Sequence, residues 1–290
     1  MFLLSDLREL WRFRELLLIL VQRDLKVRYK NSFLGFGWSL INPLLQVIVI
    51  TFVLKIFLRV GVANYSAYIF CAFLPWSFFQ LSLLDASNSL AFQERLLKKV
   101  YFPREILPLA CVLSNLVHFL LALGVFLVYL AALPLFTWFT GGKFVWTIQP
   151  TVFFTPVVIV ILFLLSAGLS LVAAALNLFY EDVRFLLTVG LNILYYLVPI
   201  IYFPELVARA LPHRLYAIYM LNPLSPLISA FRKWVLPPTN ISIGGTHAAT
   251  SGITATDGAY LLVAAVVSVL VAAAGYAFFN ARKWQFAERL

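Results

Sequence analysis

Apolar positions along this chain run on without the two-residue alternation of a half-buried strand. Uncharged windows cover residues 34–54, 60–84, 106–142, 144–180, 185–204 and 258–281. Crossing a hydrocarbon core of about 30 Å takes roughly 20 apolar helical residues. The windows therefore predict six spans, near 34–58, 65–89, 106–133, 151–178, 185–203 and 259–280. Pro43, Pro75, Pro156 and Pro199 fall inside them. Kinks are expected there, with neighbouring helices satisfying the freed carbonyls.

Between the windows lie four polar segments. In residues 5–30, Leu7, Leu10, Trp11, Leu18, Val21 and Leu25 recur at three-, four- and seven-residue steps among charged residues. This predicts an amphipathic helix lying in the membrane interface. Its simplest role is an anchor; alternatively it is a collar where Arg23, Lys26, Arg28 and Lys30 meet an anionic lipid headgroup. Residues 92–105 mix Arg95, Lys98, Lys99, Arg104 and Glu105 with Leu96, Leu97, Val100, Tyr101 and Phe102. A loop that only needed positive charge would not carry those apolar knobs, so a short helix docking into a protein groove is expected. Residues 177–184 leave almost no loop between spans, and Glu181, Asp182 and Arg184 are expected to cap helix ends and pair with one another. Contact with a partner or substrate is the alternative.

The fourth polar segment, 204–257, holds an apolar stretch over 215–231 interrupted by Asn222, Pro223 and Pro226. It is too interrupted for another span and too apolar for a free loop, which predicts a re-entrant or interfacial helical pair. The Thr, Ser, Gly, Ala and Asn of residues 239–256 predict a flexible external loop.

Composition removes the soluble readings. Of 290 residues, 63% are hydrophobic and 12% charged, against roughly 45–50% and about 25% in soluble domains. The net charge of +10 does not point to nucleic acid, because the basic residues sit beside apolar runs, as at a membrane surface. With the N-terminus in the cytoplasm, 15 of the 22 Lys and Arg fall on the inner side, so both termini are expected inside. The N-terminal apolar run, residues 16–21, is too short for a signal peptide. Gly142-Lys143 lacks the first glycine and the Ser/Thr of a phosphate-binding loop, so no ATP hydrolysis by that route is expected. Cys71 and Cys111 fall at opposite depths and give neither a disulfide nor a metal site. Asp85 and His118 are costly in lipid and should face protein or water; for His118 an interhelical hydrogen bond is expected in preference to a proton relay. The two halves share no repeat, which favours a pathway between two copies of the chain.

Four motifs in order carry a likeness: residues 23–44 (RDLKVRYKNSFLGFGWSLINPL), residues 98–108 (KKVYFPREILP), residues 177–184 (NLFYEDVR) and residues 222–232 (NPLSPLISAFR). Together they resemble ABC-2 type permeases that export polysaccharides, over nearly the whole chain. The resemblance implies an all-α membrane protein whose six-span subunits form a homodimer. That dimer would bind two copies of an ATP-binding cassette subunit, with ATP and Mg on that partner and no cofactor in this chain. It implies a cargo of undecaprenyl-pyrophosphate-linked polysaccharide, of O-antigen, capsule or teichoic acid type, carried across the bacterial inner membrane. It places a coupling helix in 93–105, where Arg95, Leu96, Lys98, Lys99, Tyr101, Phe102, Arg104 and Glu105 would meet the ATPase. Periplasmic gate helices fall in 204–235, with Asn222, Pro223, Pro226 and Arg232. The resulting organisation is residues 1–33 as interfacial helix and connector, 34–281 as transmembrane domain including the 204–257 gate region, and 282–290 as cytoplasmic tail.

Aromatic faces stack on the C–H surfaces of sugars while letting a polymer slide. With 16% aromatic residues, candidates for the pathway are Trp38, Trp76, Phe79, Tyr195, Tyr196 and Tyr202, though Trp and Tyr also form interfacial belts. Two rivals remain: an ABC-2 exporter of small molecules or drugs, and a membrane-embedded glycosyl- or acyltransferase. The latter wants clustered acids, histidines or metal ligands, whereas His118, His213 and His247 are scattered. A channel or proton-driven carrier is disfavoured by the shortage of acids within spans.

Overall fold

The computed structural model describes residues 10–29, 37, 45–46, 48–53, 56, 61–62, 65–93, 101–139, 147–243, 246–250, 252 and 254–286. Its helices are α1 (Arg14–Tyr29), α2 (Tyr65–Phe92), α3 (Ile106–Phe139), α4 (Thr155–Phe179), α5 (Val183–Leu197), α6 (Pro204–Ala210), α7 (His213–Leu221), α8 (Leu224–Val235) and α9 (Ala255–Arg282). A 3-10 turn, Pro150–Phe154, leads into α4. Strands β1 (Gly61–Val62), β2 (Asn240–Ile243) and β3 (Thr246–Ala249) form an antiparallel sheet in the order β1-β2-β3.

Among the described residues four helical stretches are long and apolar enough to cross a membrane: Tyr65–Phe92, Ile106–Leu135, Pro150–Phe179 and Ala255–Arg282. They match four of the six expected spans. The first expected span lies mostly outside the described residues. The fifth is matched in part: the apolar helix α5 has 15 residues, about 22 Å at 1.5 Å per residue. The helix stops because Val198, forced away from helical geometry by Pro199, adopts φ −92°, ψ 148°. Pro156 likewise does not kink a helix; it sits in the first turn of α4, where its missing N–H costs nothing.

The second span, α2, runs through the centre and is buried nearly all round, with Trp76 and Phe78 among its most enclosed side chains. Polar side chains join it to α4: the Asn177 amide donates to Ser87 O (3.0 Å) and the Ser170 hydroxyl to Ser82 O (3.2 Å). Between helices in lipid such bonds supply adhesion that hydrophobicity does not. α4 and α9 meet at glycine. A Cβ on Gly168 would stand 2.6 Å from Ala272 Cα, and one on Gly275 would overlap the Gly168 carbonyl oxygen. Only hydrogen fits at this crossing.

At the far end from the sheet, here termed the terminal end, Leu20 and Val21 of α1 pack with Leu90, Phe102, Ile106, Leu107, Phe279 and Phe286. The amphipathic division expected of α1 is not clean. Leu18, Ile19 and Val27 are exposed while Leu20 and Val21 are buried, because the apolar run over residues 16–21 wraps the whole helix.

In residues 204–256, α7 and α8 stand as the helical pair expected over 215–231, and the short α6 precedes them. Asn222-Pro223 does break the chain, but Pro226 falls in the first turn of α8, where proline is tolerated. Within 239–256, where a flexible loop was expected, Asn240–Ile243 and Thr246–Ala249 pair as β2 and β3, and with β1 they qualify the all-α expectation. Tyr68 of α2 fixes the hairpin's approach by donating to Pro237 O.

Candidate functional site

A cavity of about 1000 Å³ opens beside the middle of α2, at the upper end of the roughly 300–1,000 Å³ of small-molecule pockets. Phe73, Trp76, Tyr195 and Tyr196 supply aromatic walls, and Arg28, Gln46, Ser77, Gln80, His118 and Asn192 supply polar groups. The rings brace one another: Tyr195 lies 5.7 Å from Trp76 and 5.2 Å from Tyr196, centroid to centroid. The Trp76 indole donates to Gln80 Oε1 at 3.1 Å, which settles the rotamers of both. A wall of fixed rings and amides suits a solute with C–H faces and many hydroxyls.

Of the six aromatic candidates, Trp76, Tyr195 and Tyr196 line this cavity. Phe79 is buried behind Trp76, 6.0 Å away. Tyr202 lies in the connector after α5, donating to Leu197 O at 2.7 Å, and Trp38 lies outside the described residues. Gln80, Asn192 and Gln46 were missed; their signal was an amide inside an otherwise apolar window, the kind of position that marks a pathway in membrane proteins.

A second pocket, about 560 Å³, lies at the terminal end between α1, the end of α2 and the start of α3. Among the described residues its charged lining is Arg23, Asp24, Arg28 and Asp85. Arg23 pairs with Asp24 at 2.8 Å and donates to Gln93 Oε1 at 3.1 Å. Arg28 reaches into the bundle: Nη2 donates to Asp85 Oδ2 and Nη1 to Asn115 Oδ1, both at 2.8 Å. The Asn115 amide donates back to Asp85 Oδ2 at 2.9 Å. Asp85 thus faces protein, as expected, and Arg28 borders both cavities. Lys26 sits in the last turn of α1; Lys30 lies outside the described residues.

Of the expected docking segment, Tyr101, Phe102, Arg104 and Glu105 are described; Arg95, Leu96, Lys98 and Lys99 are not. Tyr101 is 87% exposed and Phe102 only 5%. Phe102 is therefore not the surface knob expected of it, since it packs into the terminal core. Arg104 donates to Lys283 O at 2.9 Å and covers the Phe286 ring. Glu105 is buried, with Tyr276 Oη 3.5 Å from its Oε1. These contacts bind the segment to the end of α9 and leave Tyr101 projecting.

In 177–184 the expected mutual pairing is corrected. Among the described residues no ion pair joins Glu181 or Asp182 to Arg184. Asp182 occupies the N-cap of α5 without a side-chain bond. Asn177 does the work instead, its Oδ1 accepting from Arg184 N at 3.0 Å.

At the sheet end, Asn222 Oδ1 accepts from Leu224 N (3.2 Å) ahead of Pro223, starting α8. Arg232 is buried, donating to Pro199 O and Tyr202 O, each 3.4 Å away, with its guanidinium 4.8 Å from the Phe203 ring. Its neighbour Lys233, which sequence reasoning passed over, stands 2.9 Å from Asp257 Oδ2 and 3.3 Å from Glu205 Oε1. Burial, reinforced by Asp257 and Glu205, pushes the nearby Tyr216 phenol up to about 12. Cys71 and Cys111 are both free and buried.

Known proteins match this chain along its length. The sequence signature of the family described as ABC-2 type transporter covers residues 15–236. An O-antigen export system permease protein RfbA of Myxococcus xanthus is 30% identical over 287 residues, 98% of either chain. One of Klebsiella pneumoniae is 28% identical over 279 residues, 95% of either chain. The chain belongs to the ABC-2 type transporter family.

Proposed function

We propose that this ABC-2 type transporter chain is the membrane-spanning permease of a polysaccharide exporter, driven by a separate ATPase. The cargo is a polysaccharide of O-antigen, capsule or teichoic acid type on an undecaprenyl pyrophosphate. The central cavity carries the reading. It sets rings and amides side by side in a bundle that is otherwise apolar, and its relatives along the full chain are named for O-antigen export. A sugar polymer is too hydrophilic for lipid and too long to be enclosed, so it needs a continuous path.

A second copy of the chain completes that path. Support comes from α5, whose Phe185, Leu186, Val189, Ile193 and Tyr196 are exposed in a single chain, with Tyr196 at the cavity. Six spans per subunit follow if residues 34–58 cross and α5 with its connector completes the fifth. Both termini lie in the cytoplasm of a bacterial inner-membrane protein, as the basic residues favour. The terminal-end pocket then faces inward, Arg23, Lys26, Arg28 and Lys30 form the basic collar at which the lipid pyrophosphate enters, and the 93–105 segments of the dimer contact the two ATPase copies, which hold ATP and Mg. Helices α6 to α8 cover the periplasmic mouth as the gate.

Deleting the gene in its own host tests this: surface polysaccharide is expected to disappear while lipid-linked polymer accumulates inside, and the intact gene restores it. Unchanged surface polysaccharide in the deletion strain overturns the reading.

A further inference from the structure

Among the described residues that line the terminal-end pocket, the charges balance. Two arginines, Arg23 and Arg28, face two aspartates, Asp24 and Asp85, and each arginine is engaged by one of them. Arginines already paired in this way must leave a carboxylate before they can hold an anion fully. Yet the two pairs differ in construction. Arg23 and Asp24 are sequence neighbours on one helix. Arg28 and Asp85 join separate elements, α1 and α2, with Asn115 of α3 closing the triangle. Among the described residues Arg28 is also the one charged residue that borders both cavities, so its position governs the boundary between them.

We propose that Arg28 is a two-position side chain: it holds Asp85 and Asn115 at rest and transfers to a phosphate group arriving in the terminal-end pocket, with Asp85 as the built-in competitor. This rests on the exporter reading for the identity of the phosphate carrier, but not for the exchange itself.

Three features make the exchange feasible. The Arg28 and Asp85 side chains keep 27% and 39% of their surface, so neither is sealed from water and the pair is only modestly stable. A phosphate accepts the planar guanidinium fork with two parallel N–H bonds, and it carries more charge than the single carboxylate it displaces. Asp85 is not stranded when Arg28 departs, because Asn115 Nδ2 still donates to the same Oδ2 at 2.9 Å and water reaches the rest of the carboxylate. Departure of Arg28 also releases the hydrogen bond to Asn115, so α1 loses both side-chain ties that Arg28 makes to α2 and α3. Phosphate arrival is thereby coupled to loosening of the wall between the pocket and the central cavity.

The signature is opposite signs for the two halves of one ion pair. Asp85→Asn removes the competitor and leaves the ligand, so phosphate binding tightens. Arg28→Gln removes the ligand, so binding weakens. A pair that merely holds the fold predicts loss from both. The measurement is calorimetric binding of farnesyl pyrophosphate, and in parallel of inorganic pyrophosphate, to the full chain with its ATPase in neutral-lipid nanodiscs. Asp85→Asn is expected to tighten binding about tenfold, near 1.4 kcal/mol, and Arg28→Gln to weaken it about as much. Arg28→Lys, which retains charge without the fork, is expected to fall between Arg28→Gln and the unaltered chain and serves if Arg28→Gln does not fold.

Tight binding of farnesyl pyrophosphate alone assigns the site to a lipid headgroup; equal binding of inorganic pyrophosphate assigns it to free phosphate, and both outcomes support the exchange. Changes of one sign, or no change, in Asp85→Asn and the Arg28 variants overturn it, and leave the exporter reading to be judged on surface polysaccharide. Opposite signs in a chain whose deletion leaves surface polysaccharide intact would keep the exchange and remove the exporter.

Discussion

The ammonium of Lys233 donates to Asp257 Oδ2 across 2.9 Å, fastening α8 to the first turn of α9. Asp257 is itself held in a capping box with Thr254, and Glu205 of α6 stands on the other side of Lys233. Three elements at the sheet end converge on one cation that is only 9% exposed.

Lys233→Met leaves two carboxylates facing each other without their cation. Breaking a buried pair from one side costs about 3–5 kcal/mol, so the unfolding midpoint of the purified protein should drop by many degrees. Asp257→Asn should cost less, because Glu205 remains beside Lys233. Equal midpoints for Lys233→Met and the unaltered protein would contradict this arrangement.

The α4–α9 crossing makes a sharper demand. Gly275→Ala places a methyl group on the Gly168 carbonyl, and the backbones must part. Folded protein recovered from membranes is expected to fall several-fold. Gly190→Ala, in α5 with nothing within 4 Å of the added carbon, should be recovered normally. The contrast is read by fluorescence-detected size exclusion of both variants.

Tyr101 and Phe102 separate binding from folding. Tyr101→Ala should weaken co-purification of the ATPase while leaving the unfolding midpoint in place. Phe102→Ala opens a cavity in the terminal core and should cost about 3–5 kcal/mol before any partner is considered. If Phe102→Ala were thermally silent and Tyr101→Ala were destabilising, the orientation of this segment would be wrong.

In the central cavity, ring faces are the quantity to remove. Tyr195→Phe keeps the ring and should export normally. Trp76→Ala with Tyr195→Ala removes two faces that touch each other, and Trp76→Ala also frees Gln80; surface polysaccharide at matched membrane levels should fall well below that of either single change. An unimpaired double variant would remove these rings from the path.

The helices over residues 65–92, 106–139, 150–179 and 255–282 were legible because a run of apolar residues that long has no other use. Partners across the bundle were not. Asp85 stood out as a charge at the edge of an apolar window, but nothing local points to Arg28, 57 positions earlier, because the hydrophobic pattern sets a helix's length and not its rotation against a neighbour. Tyr101 and Phe102 lie where no helical period runs, so their opposite exposures left no trace in spacing. The β2–β3 hairpin had a signal, Gly244-Gly245 between two runs of four residues, that a reading by composition alone passes over. Lys233 was obscured by its neighbour Arg232, which belongs to the recognisable 222–232 motif.

The central claim, that this chain moves a lipid-linked polysaccharide across a membrane on ATP hydrolysis elsewhere, is tested most directly in proteoliposomes. The chain and its ATPase are reconstituted with undecaprenyl-pyrophosphate-linked polysaccharide on the outer leaflet and a polysaccharide-cleaving glycosidase sealed inside. The account predicts cleavage of the polymer that begins on adding ATP and Mg outside and fails without this chain. Polymer that stays intact, while the same vesicles hydrolyse ATP, would contradict it.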